Sequence, residues 1–135
     1  MTLCDAALEV NGRLHVLGSI DYFWANALPY LHPRCVLAAR LRWDGHERPK
    51  KHKLRVQIID ADAEPLGNEF TCKFPMPMPE ADDIPAVRHV IVDLQSLQFP
   101  SYGPYAARIE VDGAELASLP FSVVSPSRLP QRRTA

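Results

Sequence analysis

The sequence predicts an all-β fold, an antiparallel β-sandwich of about eight strands with Greek-key connections. Short segments of alternating apolar and polar residues recur at roughly ten-residue spacing, separated by turn residues. Asn11-Gly12 and Asp112-Gly113 are dipeptides that favour two-residue hairpin turns, because both tolerate positive φ. No segment shows sustained helical periodicity with caps. The 13 prolines, about twice the average usage, further favour loops and strand edges over helix interiors.

Length and composition limit the classes of protein that this chain can belong to. Its 135 residues suffice for one domain, which we place at residues 1–124, with a loose tail at 125–135. A net charge of −1 gives no general attraction to nucleic acid or anionic lipid. There is no apolar run of about 18 residues and no secretory signal at the N-terminus. Three widely separated cysteines form no disulfide framework, so we expect a cytoplasmic protein with reduced thiols and no membrane contact.

The first hairpin is the clearest local signal. Its first strand is predicted at residues 4–10, with Cys4, Ala6, Leu8 and Val10 facing the core and the acidic residues between them facing solvent. Its second strand covers residues 14–18. Residues 19–34 break the alternation and are predicted to form a long aromatic-rich loop.

The remaining strands follow from renewed alternation. They are predicted at residues 35–43, 54–58, 70–74, 90–94, 105–111 and 119–123. Basic, acidic and proline-rich connections separate them at residues 44–52, 60–65 and 75–85. Pro120 falls inside the last strand, which places that position at an edge or with its missing N–H turned away from the ladder. The long connections favour a sandwich over a meander of short hairpins.

The aromatic loop is the first candidate binding site. It contains Tyr22, Phe23, Trp24 and Tyr30, too many large aromatic residues to leave exposed on a monomer without a reason. One interpretation is that the loop folds back and closes an end of the sandwich. The other is that it forms an interface, where aromatic residues are enriched.

The basic loop is the second candidate. Its charged residues include Arg48, Lys50, Lys51 and Lys53. They could contact an acidic protein or phosphates. After Trp43 no aromatic residue is interleaved to stack on bases, so nucleic acid is disfavoured. A solvated loop is the alternative interpretation.

Motifs of catalysis and metal binding are absent from the sequence. It has no nucleophile elbow and no glycine-rich phosphate loop, and His46-Glu47 is not followed by the second histidine of a zinc protease. We therefore predict no catalytic residue, no metal site and no cofactor. Asp60, Asp62 and Glu64 could supply oxygen ligands to calcium, with Asp82 and Asp83 nearby, but aspartate also favours plain turns. The cysteines fall on inward positions and are predicted to be buried and free.

Two stretches of the chain resemble a known family. The matching residues are 3–7 and 12–18 near the N-terminus, and 99–105, 111–113 and 119–123 near the C-terminus. They resemble a family of short bacterial proteins of unknown function with immunoglobulin-like sandwich folds. The resemblance implies that fold, and it implies no activity. Tyr105 stands where a tyrosine corner would place its residue, although the cysteine pair and core tryptophan of antibody domains are absent.

We therefore expect a non-catalytic module for protein interaction or assembly, binding another protein or a second copy of itself. An enzyme, or an accessory domain of one, whose site is assembled in space is the main alternative. A phage or plasmid structural protein is another. A concave pocket where histidine, cysteine and carboxylate side chains converge would favour the enzyme.

Overall fold

The computed structural model describes residues 1–43, 51–75 and 85–128. Over these residues it confirms an all-β fold arranged in two sheets. The strands are β1 (Thr2–Val10), β2 (Arg13–Ile20), β3 (Tyr22–Trp24), β4 (Tyr30–Trp43), β5 (Lys51–Ile59), β6 (Pro65–Pro75), β7 (Ala86–Phe99), β8 (Gly103–Val111) and β9 (Ala114–Val124). One turn of 3-10 helix follows at Pro126–Arg128.

The first sheet has the order β2-β1-β4-β7, and the second has the order β3-β9-β8-β5-β6. Neighbouring strands are antiparallel, except that β3 runs parallel to β9. Residues from both sheets join one hydrophobic cluster, for example Leu37 and Val92 from the first sheet and Val56 and Ile109 from the second. The inner faces of the two sheets therefore share one core.

Alternation along β8 places its residues as the sequence predicts. Tyr105, Ala107, Ile109 and Val111 are buried, and the residues between them are partly exposed. Successive side chains of a strand point to opposite faces, so burial of one face produces the alternation that predicts β8 from the sequence.

Both predicted hairpin turns are present. Asn11 and Gly12 have φ of 51° and 74°, and Asp112 and Gly113 have φ of 53° and 83°. Positive φ at both central residues is the requirement of a type I′ turn, whose twist matches that of the flanking strands. The register of both hairpins is therefore fixed locally by these dipeptides.

The predicted inward face of β1 is wrong: Cys4 is buried, but in a second cluster with Val36 on the outer face of the first sheet and not in the shared core. β1 pairs with β4 only over Thr2–Cys4, and the rest of the β1–β2 hairpin leaves the sheet. Leu8 and Val10 are exposed, whereas Ala7 and Leu14 pack on Val36, on the outer face of the first sheet. The alternation is present, but the face opposite to Leu8 and Val10 is the one that packs on the first sheet.

The two strands of the hairpin approach each other closely, and near its tip the hairpin contacts β7. Gly18 has φ of 69°, and a Cβ there would overlap the carboxylate of Asp5 on the facing strand. Near the tip, Glu9 Oε2 lies 3.0 Å from Nδ1 of the nearly buried His89 on β7. The hairpin therefore spans from β4 to the edge strand β7.

The number and length of the strands also differ from the prediction. The described residues form nine strands rather than about eight, because β3 lies inside the predicted aromatic loop. β4 begins at Tyr30, still within that loop. Most of the predicted basic connection and most of the predicted proline-rich connection, residues 44–50 and 76–84, lie outside the described residues. The prediction for Pro120 is confirmed, since β3 pairs only with residues 122–124 and leaves that side of β9 at Pro120 without a described neighbour.

A tyrosine corner precedes β8. The Tyr105 hydroxyl donates a hydrogen bond of 2.7 Å to the Ser101 carbonyl oxygen. It also lies 3.1 Å from the Ser101 hydroxyl. Because Tyr105 is buried against Phe99 and Phe121, this contact fixes the connection between β7 and β8 to the core.

Candidate functional site

The aromatic segment is divided between core and surface by the alternation of β3. Phe23 is 4% exposed, whereas Tyr22 is 44% and Trp24 is 55% exposed. The interpretation that the segment closes an end of the core is confirmed for Phe23, whereas the interface interpretation stays a prediction for the exposed Tyr22 and Trp24. Alternation with a period of two separates the buried Phe23 from the exposed Tyr22 and Trp24, but a strand of three residues is too short to be predicted from that pattern.

Phe23 and Tyr30 close one end of the shared core. The Phe23 ring centroid lies 5.5 Å from that of Phe99 and 5.6 Å from that of Phe121, the latter edge-on. Tyr30 stacks on Phe99, and its hydroxyl lies 2.8 Å from His32 Nδ1. Phe23 therefore belongs to the core, whereas Tyr30 is half-buried at the border of the core.

Tyr22 and Trp24 form an exposed pair, which we call the aromatic edge. Their ring centroids are 6.1 Å apart, and the ring planes differ by 7°. β3 is the last strand of its sheet among the described residues, so the pair borders a strand edge without a described neighbour. Just after β3, the Ala25 N–H donates to the Val124 carbonyl at 3.0 Å. The Ala25 carbonyl accepts from the Tyr102 hydroxyl at 2.7 Å. The aromatic edge is therefore anchored on a fixed backbone.

The structure places only part of the basic candidate site. Arg48 and Lys50 lie outside the described residues. Lys51 and Lys53 are exposed on β5, and Lys53 is directly opposite Lys73 of β6. No local pattern links Lys73 to this group, because it lies twenty positions after Lys53 in the chain.

A polar network lies farther along the same sheet face, and its two arginines are paired with acidic and amide side chains within it. Arg55 Nη2 is 2.7 Å from Glu110 Oε2, and Arg108 Nη2 donates to Gln57 Oε1 at 2.7 Å. Gln57 Nε2 in turn donates to Glu69 Oε2 at 2.9 Å. Side-chain hydrogen bonding to Glu110 raises the pKa of Arg55. The network holds β5, β6 and β8 together and does not present a free basic patch.

A cleft that sequence reasoning missed opens between β6 and β7, the edge strands of the two sheets on one side of the molecule. Its volume is 680 Å³. Apolar side chains and a few polar ones line it, among them Leu66, Glu69, Phe70, Asp93 and Leu97. The two sets of residues are more than twenty positions apart in the chain, and their apolar members resemble ordinary core positions, so no local pattern could have indicated the cleft.

His52 is buried, although it lies on β5 between the exposed Lys51 and Lys53. Its ring lies between Trp43 and Phe74, at centroid distances of 5.3 and 5.8 Å. Nδ1 is 2.6 Å from Asp112 Oδ2, and Asp112 Oδ1 accepts the Lys53 N–H at 3.0 Å. Nε2 is buried and makes no hydrogen bond. The pair ties β5 to the β8–β9 turn, and its ring is shielded from any substrate.

The acidic turn uses its first carboxylate internally. Asp60 Oδ1 accepts the N–H groups of Asp62 and Glu64 at 2.9 and 3.0 Å. Aspartate commonly stabilises a turn in this way. Asp82 and Asp83, the other suggested calcium ligands, lie outside the described residues.

The cysteines are free, as predicted, but they do not share one face. Cys35 lies in the shared core, Cys72 is half-buried against it, and Cys4 lies in the second cluster under the hairpin. Burial, followed by the effect of neighbouring Cys4, raises the pKa of Cys35 to about 11. Burial also raises the pKa of Cys4. Both thiols are held protonated at neutral pH, which makes them poor nucleophiles.

The described residues contain neither a cluster of metal-ligating side chains nor a membrane-spanning helix. Within residues 1–43, 51–75 and 85–128, no three histidine, cysteine or acidic side chains come together as potential ligands of a metal ion. The same part of the chain contains no helix with the length and apolar character needed to cross a membrane.

Comparison with known proteins places most of the chain in one family. A model of a family of unknown function (DUF6941) matches residues 1–124. No curated protein and no solved structure is significantly similar to the chain. The expected membership of a family of unknown function is confirmed, whereas its bacterial origin stays an expectation.

Proposed function

The chain belongs to this family of unknown function, and we propose from the geometry alone that it is a non-catalytic module for protein interaction or assembly. The observation that carries the proposal is the aromatic edge, with Tyr22 and Trp24 exposed side by side on an edge strand. The partner is another protein or a second copy of the chain, in the cytoplasm.

The energetics of exposed aromatic residues support a binding role. Burying a tryptophan or tyrosine side chain removes roughly 150–250 Å² from water, which makes these residues the main anchors of protein interfaces. At Trp24 and Tyr22 about half of that surface is still in water. This exposed aromatic surface contributes little to the stability of the fold. A partner that covers it removes it from water, and that burial favours association.

The same proposal includes an immunoglobulin-like sandwich. Strands β1-β4-β7 have the order of strands A, B and E of that fold, and β9-β8-β5 have the order of G, F and C. β6 stands beside β5, in the place where variable-type domains add strand C′. Tyr105 of the tyrosine corner lies near the start of β8, the equivalent of strand F, where this fold usually has it. Such domains commonly serve as binding modules, which is an argument from analogy alone.

The test is co-purification of the tagged full chain from its native host, comparing wild type with Trp24→Ala. Leu116→Ala is the matched control, because Leu116 is another exposed apolar residue of the same sheet. It lies seven residues before Val123 on β9, about 20 Å from β3. We expect Trp24→Ala to lose at least about tenfold of the bound partner and Leu116→Ala to lose none.

Sedimentation velocity of the purified chain distinguishes the two kinds of partner. If the chain binds itself, wild type sediments as a dimer or larger species and Trp24→Ala as a monomer. If it binds another protein, both sediment as monomers and differ only in co-purification. Retention of every association by Trp24→Ala, with the fold intact, would contradict the proposal.

In the same proposal, the exposed Lys51 and Lys53 contribute an electrostatic attraction to the partner. Their replacement by glutamate should weaken association at low salt and have little effect at high salt, because exposed charges are screened within about 8 Å at physiological ionic strength. The effect of Trp24→Ala should persist at every salt concentration, since it depends on desolvated area. An equal salt dependence of both variants would contradict this division.

A further inference from the structure

The cleft between β6 and β7 has the dimensions of a small-molecule site. Its 680 Å³ falls within the range of about 300–1,000 Å³ that ligand sites in proteins usually have. From the composition and edges of this cleft, we propose that it binds a small organic molecule with an apolar body and a positively charged end. This site is separate from the aromatic edge, which lies at the opposite edge of the second sheet.

Apolar side chains from both sheets form the inner part of the cleft. Leu66 and Phe70 of β6 and Leu97 of β7 are only partly buried, although each packs against the shared core. Phe99 and Ile58 are fully covered behind them. Half-covered apolar groups in a concavity gain free energy when a ligand displaces water from them, so the body of the ligand should be apolar.

The charged groups of the cleft determine the sign of the ligand's polar end. Its lining includes the carboxylates of Glu69 and Asp93 and no basic side chain, although Arg34, beside the lining, pairs with Asp93 Oδ1 at 2.8 Å. Glu69 contacts Gln57 and Arg55 through Oε2 alone, which leaves Oε1 without a contact to the described residues. Both carboxylates are more than one-third exposed, at 45% and 43% of the side chain. A positively charged group can therefore reach Glu69 Oε1 directly, whereas at Asp93 it has to compete with Arg34 for the carboxylate.

Irregularities in both edge strands favour a small ligand over an added β-strand. In β6 the residues paired with Val56 and Ile58 are Phe70 and Leu66, so two extra residues bulge from β6, with Gly67 at φ of 64°. In β7, Ser96 has φ of 55°. Bulges twist an edge away and interrupt its row of hydrogen-bonding groups, which blocks extension of the sheet. Such bulges also occur beside binding sites, where they separate strands.

Two probes of matched size and opposite charge test the proposal: 4-phenylbutylamine and 4-phenylbutyrate. Each is titrated into the isotope-labelled full chain, and amide nitrogen–proton correlation NMR follows the shifts. We expect the amine to shift amides of residues 66–70 and 93–99, with a dissociation constant in about the millimolar range for so small a ligand. The carboxylate should bind at least about threefold more weakly.

A conservative double variant tests the role of the carboxylates. Glu69→Gln with Asp93→Asn should weaken binding of the amine about threefold or more, and should leave binding of 4-phenylbutyrate unchanged or stronger. The control is Glu115→Gln with Asp21→Asn, which removes the same charge from exposed positions on or beside strands β9 and β3. The amide spectrum itself reports whether each variant is folded.

Three results would overturn the proposal. The first is an absence of amine-induced shifts at the cleft, and the second is equal binding of the two probes. The third is equal weakening by the cleft variant and the control variant, which would mean that only the net charge matters. None of these results depends on Trp24, so the experiments can refute the small-molecule site without refuting the proposed interaction role, and the reverse.

Discussion

Alanine substitution of Phe23 and of Trp24 should have very different effects on stability, although the two residues are neighbours. Phe23 is 4% exposed and lies within 5.6 Å of the ring centroids of Phe99 and Phe121. Truncating a buried phenylalanine removes its transfer free energy and leaves a cavity, at a cost of about 3–5 kcal/mol. For a domain with a total stability of about 5–15 kcal/mol, this is a large fraction.

Trp24→Ala removes a side chain that is mostly in water and stacks only on the exposed Tyr22. It should cost less than about 1 kcal/mol. In urea unfolding followed by circular dichroism, the midpoint should fall by about 1–3 M for Phe23→Ala and by less than about 0.5 M for Trp24→Ala. Similar losses for the two variants would refute the assignment of faces in β3, and with it the distinction between core and contact residues.

Other positions give shorter tests. Gly18→Ala and Gly12→Ala should each destabilise the chain by about 1 kcal/mol, because both glycines have positive φ and the exposed Asp5 side chain can rotate away from a Cβ at Gly18; unchanged melting temperatures would contradict this. Tyr105→Phe should cost about 1 kcal/mol in urea unfolding through loss of the corner hydrogen bond, and an unchanged midpoint would remove that bond from the account. Burial raises the pKa of Cys35 from its ordinary value of 9.0 to about 11, so the contribution of its buried neutral thiol to stability is present below pH 9.0 and is lost as pH rises toward 11. Cys35→Val should show a smaller loss of stability over that interval, measured by urea unfolding at each pH. With a thiol reagent, Cys72 should react before Cys35, which should react only on unfolding.

The parts of the fold that could be predicted are those specified by local chemistry. The dipeptides at the two hairpins require positive φ, and they form the expected turns. The alternation of Tyr105, Ala107, Ile109 and Val111 gives the correct buried face of β8, because this strand is covered on one side by the opposite sheet. In such segments the local preference and the tertiary packing agree.

The β1–β2 hairpin shows where the same reasoning fails. Alternation tells which residues share a face, but it does not tell what covers that face. Leu8 and Val10 share a face that is exposed, because the hairpin turns its other face, with Ala7 and Leu14, toward the outer side of the first sheet. That contact depends on where β1 stops pairing with β4, which is a long-range property of the chain.

The candidate sites escape local prediction for a related physical reason. An interior strand is paired on both sides and buries one face, so its side chains have little freedom to serve a ligand or partner. The aromatic edge lies on β3 and the cleft lies between β6 and β7, and all three strands are edges among the described residues. Which strand becomes an edge is decided by the order of the sheet, and the sequence of Leu66, Phe70 or Trp24 carries no mark of that order. The residues at these edges can change their chemistry without loss of the shared core, and for that reason edges of a sandwich are the positions where binding functions can differ while the fold is kept.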